Sequence, residues 1–246
     1  MYARFTETIK WLKGKIKDKR ILYSKSPPPT TSLVLEINMT HLTHDYYFIT
    51  FKSFEGRPTL GPDEDTDLLN FDTENVTSDF RRPLFFTNTA AEAYKNARFN
   101  PTPPDIIFYG SNFIVSGHIY QKLAELNIPN LILQPTVYID SFENWHEDYW
   151  YLTFPSEYDC WSRGKSEYDP DPMNLNGKDY FSIYNYQLDE DILINTNLND
   201  RLLFKMGGDL SGHIVVHKSI ASIFRTNNMD GAVLVPIADY GVSFYH

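Results

Sequence analysis

Two stretches of this chain align without a gap at a constant offset of 101 residues, Pro236 falling on Pro135. They are residues 113–136, FIVSGHIYQKLAELNIPNLILQPT, and residues 214–237, IVVHKSIASIFRTNNMDGAVLVPI. Each begins with a strand-like triplet (Phe113-Ile114-Val115; Ile214-Val215-Val216) and runs into a helix of a little over two turns that ends at an asparagine (Asn127; Asn228). Each then crosses a turn into an apolar triplet (Leu131-Ile132-Leu133; Val233-Leu234-Val235) and stops at a proline. A further strand precedes each copy, Asp105 to Phe108 and Arg201 to Phe204, with a longer intervening loop in the second copy that holds Gly207-Gly208 and Gly212. The spacing predicts two β–loop–β–α–β units, residues 105–140 and 201–240. Ile119, Leu123 and Leu126 on the first helix, and Ile220, Ile223 and Phe224 on the second, should face the core. The fold class that follows is α+β, a duplicated unit on mixed, largely antiparallel sheets. Two unrelated β–α–β segments that happen to match remain the alternative.

The rest of the chain divides into a basic leader and an acidic body. Phe5, Ile9, Leu12 and Ile16 have the spacing of one helical face, so Thr6 to Lys19 reads as an extra N-terminal amphipathic helix with its lysines on the other face, within a basic segment of residues 1–25. That segment holds eight bases against Glu7 and Asp18, or +6, while the body, residues 26–246, holds 14 bases and 30 acids, or −16. Such a helix either docks on its own acidic body or lies on a membrane surface. Pro27-Pro28-Pro29 enforces an extended stretch after it. Leu33 to Ile37 and Tyr46 to Phe51 read as strands, and Thr87 to Phe99 as a helix closed by Pro101. The polar stretch between Phe54 and Phe80, with its run Asp63-Glu64-Asp65-Thr66-Asp67, reads as a long surface loop. An aromatic belt from Trp145 to Trp161 separates the copies, and Tyr149 to Phe154 within it suits a strand buried on both faces.

Function classes can be excluded more readily than named. The 42% hydrophobic and 15% aromatic content supports a full core, and a mean hydropathy of −0.39 with no long apolar run predicts no transmembrane helix. One cysteine, Cys160, and no signal-like h-region fit a reducing, cytoplasmic setting. The acidic body repels nucleic-acid phosphate and attracts basic protein partners. No P-loop, Gly-x-Gly-x-x-Gly, Gly-x-Ser-x-Gly or His-Glu-x-x-His pattern is present. His41/His44 and His213/His217 are weak pairs without a third ligand, and Cys160 in Tyr-Asp-Cys-Trp reads as a packed small hydrophobe. No cofactor or metal site is expected.

From Tyr158 to Ile237 the chain resembles the immunity proteins of bacterial polymorphic toxin systems, in particular a group first catalogued in myxobacteria. The resemblance rests on Asp159 followed by Ser166, the strand Phe181 to Tyr186 with Leu188-Asp189-Glu190, and Leu203-Phe204-Lys205. It continues through Val216-His217, Ser219 to Arg225, and Gly231-Ala232-Val233-Leu234-Val235-Pro236. Asp105 to Pro135 resembles the midsection of related immunity families. Lys205 stands where Arg is commoner, and His217 where Ser is. The resemblance implies a non-catalytic protein that binds one cognate toxin in the cytoplasm. The residue pattern adds a surface: clustered acid with aromatics, in Asp63, Glu64, Asp65 and Asp67 and in Glu143, Trp145, Glu147 and Asp148, suits a basic toxin domain. An enzyme built from Asp159, Ser166, His213 and His217, and a membrane-surface adaptor using the first helix, are the rival readings.

Overall fold

The computed structural model describes residues 42–51, 57–69, 71, 82–225 and 232–241. The expected N-terminal helix, the proline run, the strand over Leu33 to Ile37 and the linker with Asn228 lie outside them. Fourteen strands are described: β1 (Tyr46–Thr50), β2 (Leu60–Pro62), β3 (Leu84–Asn88), β4 (Ile106–Tyr109), β5 (Asn112–Ser116), β6 (Ile132–Ile139) and β7 (Trp145–Thr153) come first. β8 (Glu167–Tyr168), β9 (Met173–Leu175), β10 (Lys178–Tyr180), β11 (Ile183–Asn185), β12 (Leu203–Lys205), β13 (Ile214–His217) and β14 (Val233–Pro236) follow. Helices are few and short, so the architecture is mixed α+β dominated by strands.

Two sheets organise these strands. One has the order β2-β3-β6-β7-β5-β4, with β3 parallel to β6 and every other pair antiparallel. It curls until its edge strands β2 and β4 approach, so it is nearly closed. The other, β12-β13-β1-β14, is antiparallel throughout. The two orders correspond. In each, a hairpin (β4-β5; β12-β13) is separated from the strand after the helical segment (β6; β14) by one antiparallel strand from elsewhere in the chain, β7 in one sheet and β1 in the other.

One apolar core lies between the sheets. Phe113, Val115, Ile119 and Leu123 meet Ile214, Val216, Ile220 and Phe224 there, and each of the first four stands 101 residues before its counterpart. Leu126 and Ile223 pack partly buried against this core. The curled sheet encloses a second, aromatic core (Phe71, Phe86, Tyr138, Tyr149, Tyr151), and segments carrying Trp161 and Tyr186, with the helix residue Leu193, cover the far face of the four-stranded sheet.

The helical segments differ from expectation in one copy. Gly117–Ala124 is an α-helix, whereas Ala221–Phe224 is a single 3-10 turn. The first contains good helix formers, Gln121, Lys122, Leu123 and Ala124. The second is interrupted by β-branched and serine residues, Ser219, Ile220, Ser222 and Ile223. Asn127 takes the left-handed conformation (φ 47°) just past the first helix, consistent with its role as a stop signal.

Candidate functional site

The acidic run is not the loop its composition suggests. Asp63 caps a helical turn, Glu64–Asp67: its side chain accepts a hydrogen bond from Thr66 N–H at 2.8 Å. Thr66 points inward, and its Oγ1 accepts the backbone N–H of Phe85 on β3 at 2.8 Å, while Asp63 N–H donates to Phe85 C=O at 2.9 Å. The turn is thus bolted to β3, with Glu64, Asp65 and Asp67 exposed. Leu68, which ends it, leaves 78% of its surface in solvent.

Trp145 begins β7 on the other side of β6 and is 60% exposed, and its ring meets that of Phe85 edge-on at 5.8 Å. Two segments more than seventy residues apart in sequence therefore converge on one residue, Phe85, the turn through its backbone and Trp145 through its ring. Glu147, two residues on, is exposed where the pairing of β7 with β6 shifts register. The hairpin turn before β7 is held by Asp140, which accepts from Phe142 N–H (2.8 Å), Asn144 N–H (3.0 Å) and His146 Nε2 (3.1 Å). Burial works against its charge, yet the hydrogen bonds from Asn144 and His146 hold the carboxyl below the usual range.

Glu143 and Asp148 are engaged elsewhere. Glu143 sits in that turn with φ 66°, 3.6 Å from Lys95 Nζ. Asp148 lies against the start of the helix Gly117–Ala124: a Cβ on Gly117 would come within 2.0 Å of its carboxylate. Glycine is required there by that approach, and the carboxylate complements the positive end of the helix. Of the eight residues the sequence singles out, Asp63, Glu64, Asp65 and Asp67 lie on the turn held by the Phe85 backbone, Trp145 meets the Phe85 ring, Glu147 is exposed at the register shift of β7, and Glu143 and Asp148 serve the scaffold. Leu68 and Phe85 went unnoticed. An apolar residue directly after an acidic run was the available signal for the first.

The dispersed catalytic set lies on separate structural contacts. Asp159 pairs with Arg163, whose guanidinium stacks on Trp161 at 3.9 Å. Ser166 bridges to Gln187, accepting its N–H at 3.0 Å. His217 ends β13 and His213 immediately precedes it, about 13 Å away at strand rise. His213 Nδ1 contacts Asp209 Oδ2 at 2.7 Å and its Nε2 contacts Tyr240 OH at 2.9 Å. His217 Nδ1 contacts Ser219 Oγ at 2.8 Å, and burial lowers its pKa. Among the described residues no group of three or more His, Cys, Asp or Glu could hold a metal ion, and no helix is long and apolar enough to cross a membrane. Cys160 is fully buried with its Sγ 3.9 Å from Met206 Sδ, and burial pushes its thiol well up. It packs as a small hydrophobe.

The chain matches no protein-family model and no curated protein. The geometry has to carry the functional argument. The residues behind the immunity-protein resemblance are scaffold residues: Asp189 caps the helix Glu190–Asn195 by accepting from Ile192 N–H, and Trp161 bridges to Leu188. The acidic turn and Trp145 lie outside the main stretch of that resemblance.

Proposed function

We propose that this chain is an immunity protein, a non-catalytic cytoplasmic inhibitor that binds one cognate toxin domain of basic character and takes neither nucleic acid nor membrane as its partner. The observation that carries the reading is the convergence of the acidic turn and the Trp145 strand on Phe85. Trp145 and Leu68 are exposed apolar side chains on these two segments, and Leu68 directly follows the exposed carboxylates Glu64, Asp65 and Asp67. Aromatic anchors dominate interface energies, and surrounding charge of one sign steers an oppositely charged partner. The scaffold beneath is read as a duplicated unit, supported by the matching strand orders and by the four equivalent pairs of core residues.

Co-expression with the toxin-like open reading frame beside the gene tests the reading, scored by survival and co-purification. Rescue with a one-to-one complex is the expected result; no rescue and no retained partner would sink it. Within such a complex, reversing Glu64, Asp65 and Asp67 together should slow association and flatten its salt dependence without unfolding the turn, since Asp63 keeps the cap. Trp145→Ala should raise the dissociation constant about 30-fold or more, the equivalent of about 2 kcal/mol. Unchanged kinetics at low salt in the charge-reversed variant would remove this face from the account.

A further inference from the structure

A cavity of about 360 Å3 opens where the β4–β5 turn meets the loop between β12 and β13. That volume lies within the range of small-molecule sites, about 300–1,000 Å3. Its apolar wall is Ile49, Phe51 and Phe108, the two phenyl rings meeting edge-on with centroids 5.8 Å apart. Phe108 is buried, whereas Phe51 leaves 48% of its surface in solvent, so the wall ends in an open aromatic face.

The polar groups of the wall differ in how far they are already committed. The fully buried Asp209 carboxylate can only accept, so His213 Nδ1, 2.7 Å away, carries the proton that joins them. Asp209 also accepts from Ser211 N–H at 2.9 Å, Tyr186 OH at 3.0 Å and His213 N–H at 3.2 Å. His213 Nε2 lies 2.9 Å from Tyr240 OH, and both residues line the cavity. This chain fixes one side of the wall in place. The hydroxyls of Ser111 and Ser211, by contrast, make no hydrogen bond among the described residues. Gly212, with φ 60°, lets the loop that carries Ser211 run beside Ser111: a Cβ there would stand 3.1 Å from Ser111 Oγ.

Charge narrows the choice of ligand. Among the described residues no Asp, Glu, Lys or Arg lines the cavity. No cation therefore meets a ligand anion there, and the Asp209 carboxylate behind His213 repels one. Two aromatic rings suit a flat apolar body, and two unspent hydroxyls, each able to donate and accept, suit a ligand with a hydroxyl of its own. We propose that this cavity binds a small neutral phenol, its ring packed against Phe51 and Phe108 and its hydroxyl bonded to Ser111 and Ser211. The inference uses none of the residues of the toxin-facing surface and stands or falls separately from that reading.

Calorimetric titration of the full chain with p-cresol tests it, beside p-xylene, in which a methyl replaces the hydroxyl, and p-toluate, in which a carboxylate does. The expected result is p-cresol binding at roughly 1 mM or tighter, with p-toluate at least about tenfold weaker, as a buried charge without a partner predicts. The double variant Ser111→Ala, Ser211→Ala should lower the ratio of p-cresol to p-xylene affinity about tenfold, the loss expected for its hydrogen bonds. Its melting temperature should not change. Ser211→Trp, at an exposed loop position on the cavity wall, should abolish binding of both, again with an unchanged melting temperature. No p-cresol binding, p-toluate binding as tight, an unchanged affinity ratio in the double variant, or indifference to Ser211→Trp would each overturn the proposal.

Discussion

The β4-β5 and β12-β13 hairpins occupy corresponding places in their sheets, yet they are joined in very different ways. Gly110 and Ser111 alone link the first pair, whereas residues 206–213 link the second. The strands themselves are interchangeable in role: Phe113 and Val115 face the shared core as Ile214 and Val216 do. The longer loop adds what the short one cannot, a buried carboxylate surrounded by donors from its own backbone. Asp209 is 1% exposed because Ser211 N–H and His213 N–H fold back onto it. A buried charge survives only when its hydrogen bonds are made in advance. Apolar periodicity therefore sets the frame, and the difference in loop length sets the chemistry laid on it.

Breaking the shared core is the strongest test of that comparison. Phe224→Ala should cost about 3–5 kcal/mol and Leu123→Ala about 2–5 kcal/mol in denaturant unfolding, since both are buried at corresponding positions. Because they line one cluster, the double variant should depart from additivity by about 0.5–3 kcal/mol. Strict additivity would mean two independent cores. Asp209→Asn should cost about 1.5–3 kcal/mol, because hydrogen bonds to a charged acceptor are weakened while the volume is kept. A neutral outcome in the same unfolding assay would show that the long loop does not depend on its carboxylate.

The pH profile separates two residues paired across β1 and β13 at one end of the four-stranded sheet, His217 and Tyr46. His217 is held neutral by burial, so its folded pKa lies below its unfolded value of about 6.5. Its contribution to stability is complete above that value and is lost as the pH falls, and His217→Gln should remove that part of the acid-side slope. On β1, Tyr46 is raised to about 12 by desolvation, despite its hydrogen bond from Arg201. The stability it contributes is complete below about pH 10 and should be lost as the pH rises through about 12, followed by tyrosinate absorbance. The smallest effect belongs to the acidic turn: Asp63→Ala should cost about 1 kcal/mol through loss of its cap. Amide exchange should increase at Thr66, whose N–H the cap holds, with the shared core unaffected.

Much of the frame was legible because it is local or periodic. The strands β1, β5, β7, β13 and β14 follow from runs of β-branched and aromatic residues, and the burial of Ile119, Leu123, Ile220 and Phe224 follows from helical spacing. Composition misled where one inward residue changes the outcome. Thr66, a single polar residue in an acidic run, turns what reads as a loop into a capped turn docked on β3. The run from Tyr180 to Tyr186 alternates like one strand but splits into β10 and β11, because Phe181 bridges to Asp209 and its N–H bonds to Gly208 C=O. Of the site, the residue types were legible and their assembly was not.

By itself the sequence determined which residues are apolar at which period, and so a strand-rich α+β core with two corresponding segments facing inward. It also determined an acidic exterior, since charge is a property of composition. Only the tertiary structure decided that Phe85 holds the acidic turn by its backbone and Trp145 by its ring, that Asp148 is spent on a helix start, and that Arg57 lies over Phe51. Those outcomes depend on strand register and on contacts between residues far apart in the chain, where a shift of one residue would send every side chain to the opposite face.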